Sequence, residues 1–189
     1  MKAVDRALAY ELFQQYNKTE ALTKHALAVE AVMRHFAAIY GEDADTWGIV
    51  GLLHDLDYEQ YPDEHCKMSA KILEENGYED AFIHAVVCHG YGLCSDVEPV
   101  ERMEKVLYTT DELTGLITAA ALMRPNKSVM DLEYKSLLKK FKSPSFAAGV
   151  NREVISKGCG MLGEDFQYVC VETIAAMRSV ADALGLAGS

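Results

Sequence analysis

Residues 47–57 read Trp47-Gly48-Ile49-Val50-Gly51-Leu52-Leu53-His54-Asp55-Leu56-Asp57, and this stretch decides the fold. Seven residues without a charge run directly into an imidazole and a carboxylate. Residues 45–56 read as a short helix that is apolar on almost every side. A helix of that kind is central in its fold, because no face is left for water. A His-Asp pair ending a buried helix needs a reason, since a buried carboxylate is costly unless it is paired or bound to a metal.

Outward from this stretch the pattern is helical almost throughout. Residues 3–16 form an amphipathic segment. The stretch beginning at Asn17 opens with Asn17-x-x-Glu20, a capping-box pattern. Leu22, Ala26, Val29, Val32, Met33, Phe36 and Ile39 then follow the 3.6-residue period, and Gly41 is a plausible stop. His25 falls on that apolar face. Pro62 suits a first helical turn and predicts a helix over 62–75, ended by Asn76-Gly77. A further helix ends near Gly90. Pro99 predicts the opening of a long helix to about Met123, stopped by Arg124-Pro125. Helices over roughly 129–141, 145–158 and 165–184 follow, with Ser128 and Ser143 as expected caps. No run alternates convincingly as a strand would.

The expected fold is therefore all-α, a single helical domain over residues 1–189. Its core spans about 20–122, and a helical extension spans about 125–189. With 189 residues and 50% hydrophobic content the chain can bury a sizeable core. No stretch approaches the roughly 20 apolar residues that a membrane span requires. The first residues lack a signal-peptide core, so a cytoplasmic protein without a membrane partner is the expectation. Cys66, Cys88, Cys94, Cys159 and Cys170 are an odd count with no CxxC pair, so reduced, buried or inert thiols are expected.

With 18 basic and 29 acidic residues, the net charge is −11, which argues against a nucleic-acid partner held by its phosphates. The charge is uneven, however. Between Arg124 and Lys157 there are eight basic residues and three acids, giving +5 and leaving −16 elsewhere. A small anionic substrate remains compatible with that distribution. The oligomeric state stays open, with a homo-oligomer among the options.

A histidine taken alone is ordinarily structural or exposed. The set is more informative. His25 lies on a core-facing stripe, His54-Asp55 ends the most apolar helix, and His65 and His89 lie on or at the end of later helices. Asp111 lies in the otherwise apolar "VLYTTDELTGLITAA". Imidazole and carboxylate together suit iron, zinc, manganese or nickel rather than calcium. Neighbouring ligands on one helix point about 100° apart. They can meet one ion where the backbone turns, or Asp55 can bridge two.

The order His25 … His54-Asp55 … Asp111 resembles the HD superfamily of metal-dependent phosphohydrolases. "GLLHDLD" is similar to the motif that names the family. His65 in "EHCKMSA" and His89 in "AVVCHG" resemble the inserted histidines of its two-metal branch, in the order H…HD…H…H…D. "EKVLYTTDELTG" is similar to the "EKVIYVAD"-type segment of bacterial HD enzymes that cleave diadenosine tetraphosphate. The resemblance covers about residues 20–122. Leu56-Asp57 departs from it, standing where many members carry Ile-Gly.

The resemblance implies a binuclear centre on His25, His54, Asp55, His65, His89 and Asp111. One or two divalent transition-metal ions (Fe, Mn, Ni, Co or Zn) would be the cofactor. The implied function is hydrolysis of a phosphoester or phosphoanhydride bond in a small nucleotide-type substrate by a metal-activated water. His54 and Asp55 act through that water, and Glu59 is a weaker candidate general acid or base. Arg124, Arg152, Lys127 and Lys139 are candidate phosphate contacts, and a solvated helix face is the alternative for the lysines. A single ion on His25, His54, Asp55 and Asp111, with His65 and His89 touching substrate, is the competing arrangement. His84 competes with His89 as a ligand, and His35 is expected to be structural or at the surface. An HD-class di-iron oxygenase and a non-catalytic regulatory HD domain are the alternatives in function.

Overall fold

The computed structural model describes residues 5–188. Among these there are ten α-helices and no strand, so the fold is all-α. The first three helices are α1 (Arg6–Tyr16), α2 (Glu20–Tyr40) and α3 (Ala44–Leu53). The expected start of the first helix, residue 3, lies outside the described residues. Asp5 caps α1 by accepting from the Ala7 and Leu8 amides, and Asp43 caps α3 by accepting from those of Asp45 and Thr46. Both are the short acidic side chains that satisfy free amides at a helix start.

Helix α3 is buried from Trp47 through Leu53, as its composition requires. It lies closely against α2 because two glycines face that helix. A Cβ on Gly51 would come within 2.8 Å of Met33 Cγ and 3.0 Å of the Val29 carbonyl oxygen. One on Gly48 would meet the Arg34 side chain at 2.6 Å. Gly51→Ala is thus expected to force the two helices apart and destabilise the protein by about 1–3 kcal/mol. Thermal denaturation of the variant checks this; an unchanged midpoint would contradict it.

Helix α2 ends as its sequence predicts, with Gly41 in the left-handed conformation at φ 72°. Its start differs from expectation. Asn17 does not form a capping box with Glu20; its side chain is buried and donates to the Leu56 carbonyl at 2.9 Å. Thr19 occupies the N-cap position, and the free amides there go to Glu59. That carboxylate accepts from the amides of Lys18 at 2.7 Å and Thr19 at 3.0 Å.

The segment after Asp55 is less regular than predicted. Instead of one helix over 62–75, a single 3-10 turn at Pro62–Glu64 is followed by a break, and α4 runs over Lys67–Glu75. Cys66 forms the break with φ 68°. Then come α5 (Asp80–Val87), a 3-10 turn at Cys88–Gly90, and the long α6 (Arg102–Leu122). Helix α6 begins three residues beyond Pro99, where Glu101 and Glu104 make a reciprocal capping box.

The remaining helices are α7 (Tyr134–Phe141), α8 (Arg152–Leu162), α9 (Phe166–Ser179) and α10 (Ala181–Leu184). Neither expected serine cap is used. Asn151 caps α8, and the Ser128 hydroxyl instead donates to the Ala187 carbonyl at 3.0 Å. Buried side chains from Ala9 to Leu186 join one apolar core, so residues beyond 125 pack on α2 and α6 rather than standing apart. His35 contributes to this packing by pairing with Glu172 of α9 at 2.7 Å. Among the described residues no helix is long and apolar enough to cross a membrane.

Candidate metal centre

His54 and Asp55 lie where the chain leaves α3. His54 is fully buried, and its Nδ1–H donates to the Gly51 carbonyl one turn back, at 2.7 Å. That bond fixes the tautomer and turns Nε2 inward. Helix α2 delivers His25 to the same point and α6 delivers Asp111. His25 Nε2 lies 2.9 Å from Asp111 Oδ1 and 3.2 Å from His54 Nε2. Asp55 Oδ2 completes this group, 3.3 Å from His54 Nε2 and 3.7 Å from His25 Nε2.

The other oxygen of Asp55 faces a second pair of imidazoles. His65, from the break before α4, and His89, from the 3-10 turn after α5, approach each other with Nε2 atoms 3.1 Å apart. Asp55 Oδ1 lies 3.4 Å from His65 Nε2 and 3.5 Å from His89 Nε2. One carboxylate thus joins two donor groups. Donors sharing one ion at about 2.0–2.2 Å stand roughly 3–4 Å from one another, so the spacing in each group suits an ion. His25, His54 and Asp55 form one group able to hold a metal, and His65 and His89, with Cys66 beside them, form another.

Each of the four imidazoles presents Nε2 and occupies Nδ1 elsewhere. His89 Nδ1–H donates to the Val86 carbonyl at 2.6 Å. His65 Nδ1–H donates to Asp57 Oδ1 at 2.7 Å. The Thr114 hydroxyl lies 3.5 Å from His25 Nδ1 while donating to the Asp111 carbonyl at 2.7 Å. Metal-ligating histidines are ordinarily oriented in this way. Asp57 is itself buried, and its second oxygen accepts the Ser69 amide at 2.7 Å.

Asp57→Asn should keep the shape but remove the charge that aims His65, and it sets an amide –NH2 or an uncharged oxygen against the Ser69 N–H. Affinity for a metal held at His65 and His89 is expected to fall about 10–100-fold. Competition with a chelating dye measures this, and an unchanged metal affinity would contradict it.

The electrostatics of the group are dominated by its two carboxylates. Burial pushes the His54 imidazolium down, but Asp55 and Asp111 outweigh it and hold its pKa well above the ordinary histidine value. Burial likewise opposes ionisation of Asp55 and Asp111, yet His54, with His89 and His25, holds both carboxyls well below the usual range. The cluster thus gathers two ionised carboxylates, both partly buried, among four imidazoles, a donor set that suits a divalent cation.

A family model described as HD domain matches residues 22–116. The chain belongs to the HD-domain family. Neither the curated proteins nor the solved structures that were searched gave a match. In this HD-domain protein the matched region holds His25, His54, Asp55, His65, His89 and Asp111, the six residues that converge.

Other predicted site residues are placed elsewhere. His84 turns to α6, its Nδ1 lying 2.7 Å from Glu104 Oε1, away from His89 and its partners. Glu59 is committed to the start of α2, and those amide hydrogen bonds lower its pKa. A carboxylate held ionised and engaged in capping is a poor general acid. Arg124 pairs with Asp131 through two contacts, of 3.1 and 2.5 Å. Arg152 donates to the carbonyls of Phe141, Ser143, Phe146, Ala147 and Val150. All five of its N–H donors are used, which leaves none for a phosphate. Lys127 stands in the turn after α6 with φ 48°, and Lys139 lies on α7.

A cavity of about 610 Å³ opens beside His25. Its cation is Lys24, and Ala21, Ala119, Leu122, Leu184 and Leu186 supply apolar wall. Sequence reasoning missed Lys24, although its place next to His25 was a signal. It also missed the return of the chain end to the site, for which no local signal exists.

Proposed function

We propose that this HD-domain protein is a metal-dependent phosphohydrolase with a two-ion centre, acting on a phosphoester or phosphoanhydride of a small nucleotide-type anion. Family membership supports the reaction class. The observation that carries the two-ion reading is Asp55, whose two oxygens face separate imidazole groups, Oδ2 towards His25 and His54 and Oδ1 towards His65 and His89. Asp111 adds a second carboxylate to the first group.

Divalent ions held by these residues would supply Lewis acidity, neutralising phosphoryl charge and acidifying a water. The chain supplies the rest. The carbonyls of Gly51 and Val86 and the carboxylate of Asp57 keep three imidazoles in the ligating tautomer. These contacts hold the rings in their ligating orientation, which limits the reorganisation left for the reaction. The cavity beside His25 accommodates the non-reacting part of the substrate against its apolar wall, with Lys24 attracting negative charge at its edge. Lys24 already pairs with the exposed Glu20 at 2.6 Å, a contact weak enough in water for a phosphate to compete with it. This favours Lys24 over Arg124 and Arg152 as an anion contact.

The test is a hydrolysis screen with manganese, iron, nickel and cobalt, each against mononucleotides, dinucleoside polyphosphates and cyclic nucleotides. Metal-dependent release of phosphate or of a nucleotide product is expected. Oxygen uptake without hydrolysis by the iron-loaded protein would transfer the assignment to an HD-class oxygenase. Neither activity with any metal would favour a regulatory domain.

A further inference from the structure

Two of the five cysteines meet beside the His65 and His89 group. Cys66 directly follows His65 in the chain, and Cys94 lies in the loop that follows His89. Their sulfur atoms are 3.3 Å apart. Cys66 is buried and Cys94 is partly exposed, so one member of the pair is open to a small reagent. The other three cysteines are all buried, and Cys88 is engaged with the Ala85 carbonyl.

The chain goes to some length to hold this arrangement. Cys66 adopts φ 68° with ψ −40°, a positive-φ conformation that a residue with a Cβ takes only when its surroundings impose it. Gly90 lies beneath both sulfurs. A Cβ there would collide with each of them, reaching 2.6 Å from Cys66 Sγ, so only glycine leaves room for the pair. The Cys94 loop is pinned to the same residue, because the amides of Leu93, Cys94 and Ser95 all reach the Gly90 carbonyl, at 2.9, 3.0 and 3.1 Å. The pair also touches the metal group, with Cys66 Sγ 4.0 Å from His89 Nε2.

We propose that Cys66 and Cys94 are an oxidisable dithiol, which a peroxide converts to a disulfide that weakens metal binding at His65 and His89. The dependence on metal rests on the two-ion reading above; the thiol pair does not. Cys94, the accessible member, attacks the peroxide: its sulfur takes one oxygen, the O–O bond breaks, and hydrogen peroxide leaves one water. Cys66 sulfur then attacks Cys94 sulfur, the S–O bond breaks, and the second water leaves with the remaining thiol proton. Two thiols lose two electrons in all, one peroxide gains them, and two waters form.

Closing the bond brings the sulfurs from 3.3 Å to about 2.05 Å. Cys66 is joined to His65 by one peptide bond, and His65 must keep both its Asp57 contact and its aim at His89. A shift of about 1 Å at this point spoils a ligand geometry that tolerates only a few tenths.

The experiment uses the full chain, reduced and loaded with zinc, which has no redox chemistry of its own. After treatment with hydrogen peroxide the protein is desalted, its metal counted and its peptides mapped without reduction. A Cys66–Cys94 linked peptide is expected, reversible by dithiothreitol, together with loss of about half of the bound zinc. Cys94→Ser should form no link and keep its zinc. Oxidation of either cysteine without the link, or links among other cysteines instead, would overturn the dithiol. The link with zinc content unchanged would overturn its effect on the metal. A reduced protein that holds no zinc would overturn that effect together with the two-ion reading, and the mapping would still decide the dithiol.

Discussion

Asp55→Ala is expected to abolish metal-dependent hydrolysis and to strip both ions from the protein. Among the described residues no other carboxylate reaches imidazoles of both groups: its Oδ2 lies 3.3 Å from His54 Nε2 and its Oδ1 lies 3.4 Å from His65 Nε2. Removing it deletes a ligand from each group and leaves four imidazoles crowded with one fewer carboxylate. Loss of even 4 kcal/mol of transition-state stabilisation lowers the rate about a thousandfold, so at least that reduction is expected. Metal content and hydrolysis rate should fall together. An Asp55→Ala protein that kept both ions, or hydrolysed substrate within tenfold of wild type, would contradict the bridging role.

Chelation should have the next largest effect, and it is read on stability rather than activity. Without a cation, Asp55 and Asp111 remain ionised in the interior beside His54, which is fully buried. An ion present at a thousand times its dissociation constant stabilises the folded state by about 4 kcal/mol. For a chain of this size each kcal/mol corresponds to roughly 2–4 °C, so removing one such ion should lower the midpoint by about 8–16 °C. Differential scanning calorimetry with and without chelator measures this. Restoring the metal should restore the midpoint, and a midpoint indifferent to chelator would contradict the electrostatic account.

The parts of the fold that could be read from the sequence are those set by local pattern. Trp47–Leu53 could only be a buried helix, because it has no polar face. His25 could be placed because it shares its stripe with Val29, Val32 and Phe36, all of them buried. The order of histidines and aspartates carried the family because all but His65 lie at a helix face or end that the pattern already defined.

What escaped the reading depends on contacts far apart in sequence. Glu59 caps α2 from 40 residues away, which made Asn17-x-x-Glu20 look like a cap it does not form. Arg152 looked like an anion ligand because nothing in "FAAGVNRE" reveals the five carbonyls that surround it. His65 stands in a break rather than on a helix because Cys66 takes a positive φ, which its residue type does not announce. Asp57, a departure from the motif, turns out to orient His65.

Metal stoichiometry in wild type and in His89→Ala tests the central claim most directly. His89 contacts Asp55 Oδ1 and His65 but belongs to the group remote from His25 and Asp111. Two ions per chain in wild type and one in His89→Ala, with the fold intact by circular dichroism, is the predicted result. The same number of ions in both proteins would contradict the two-ion centre.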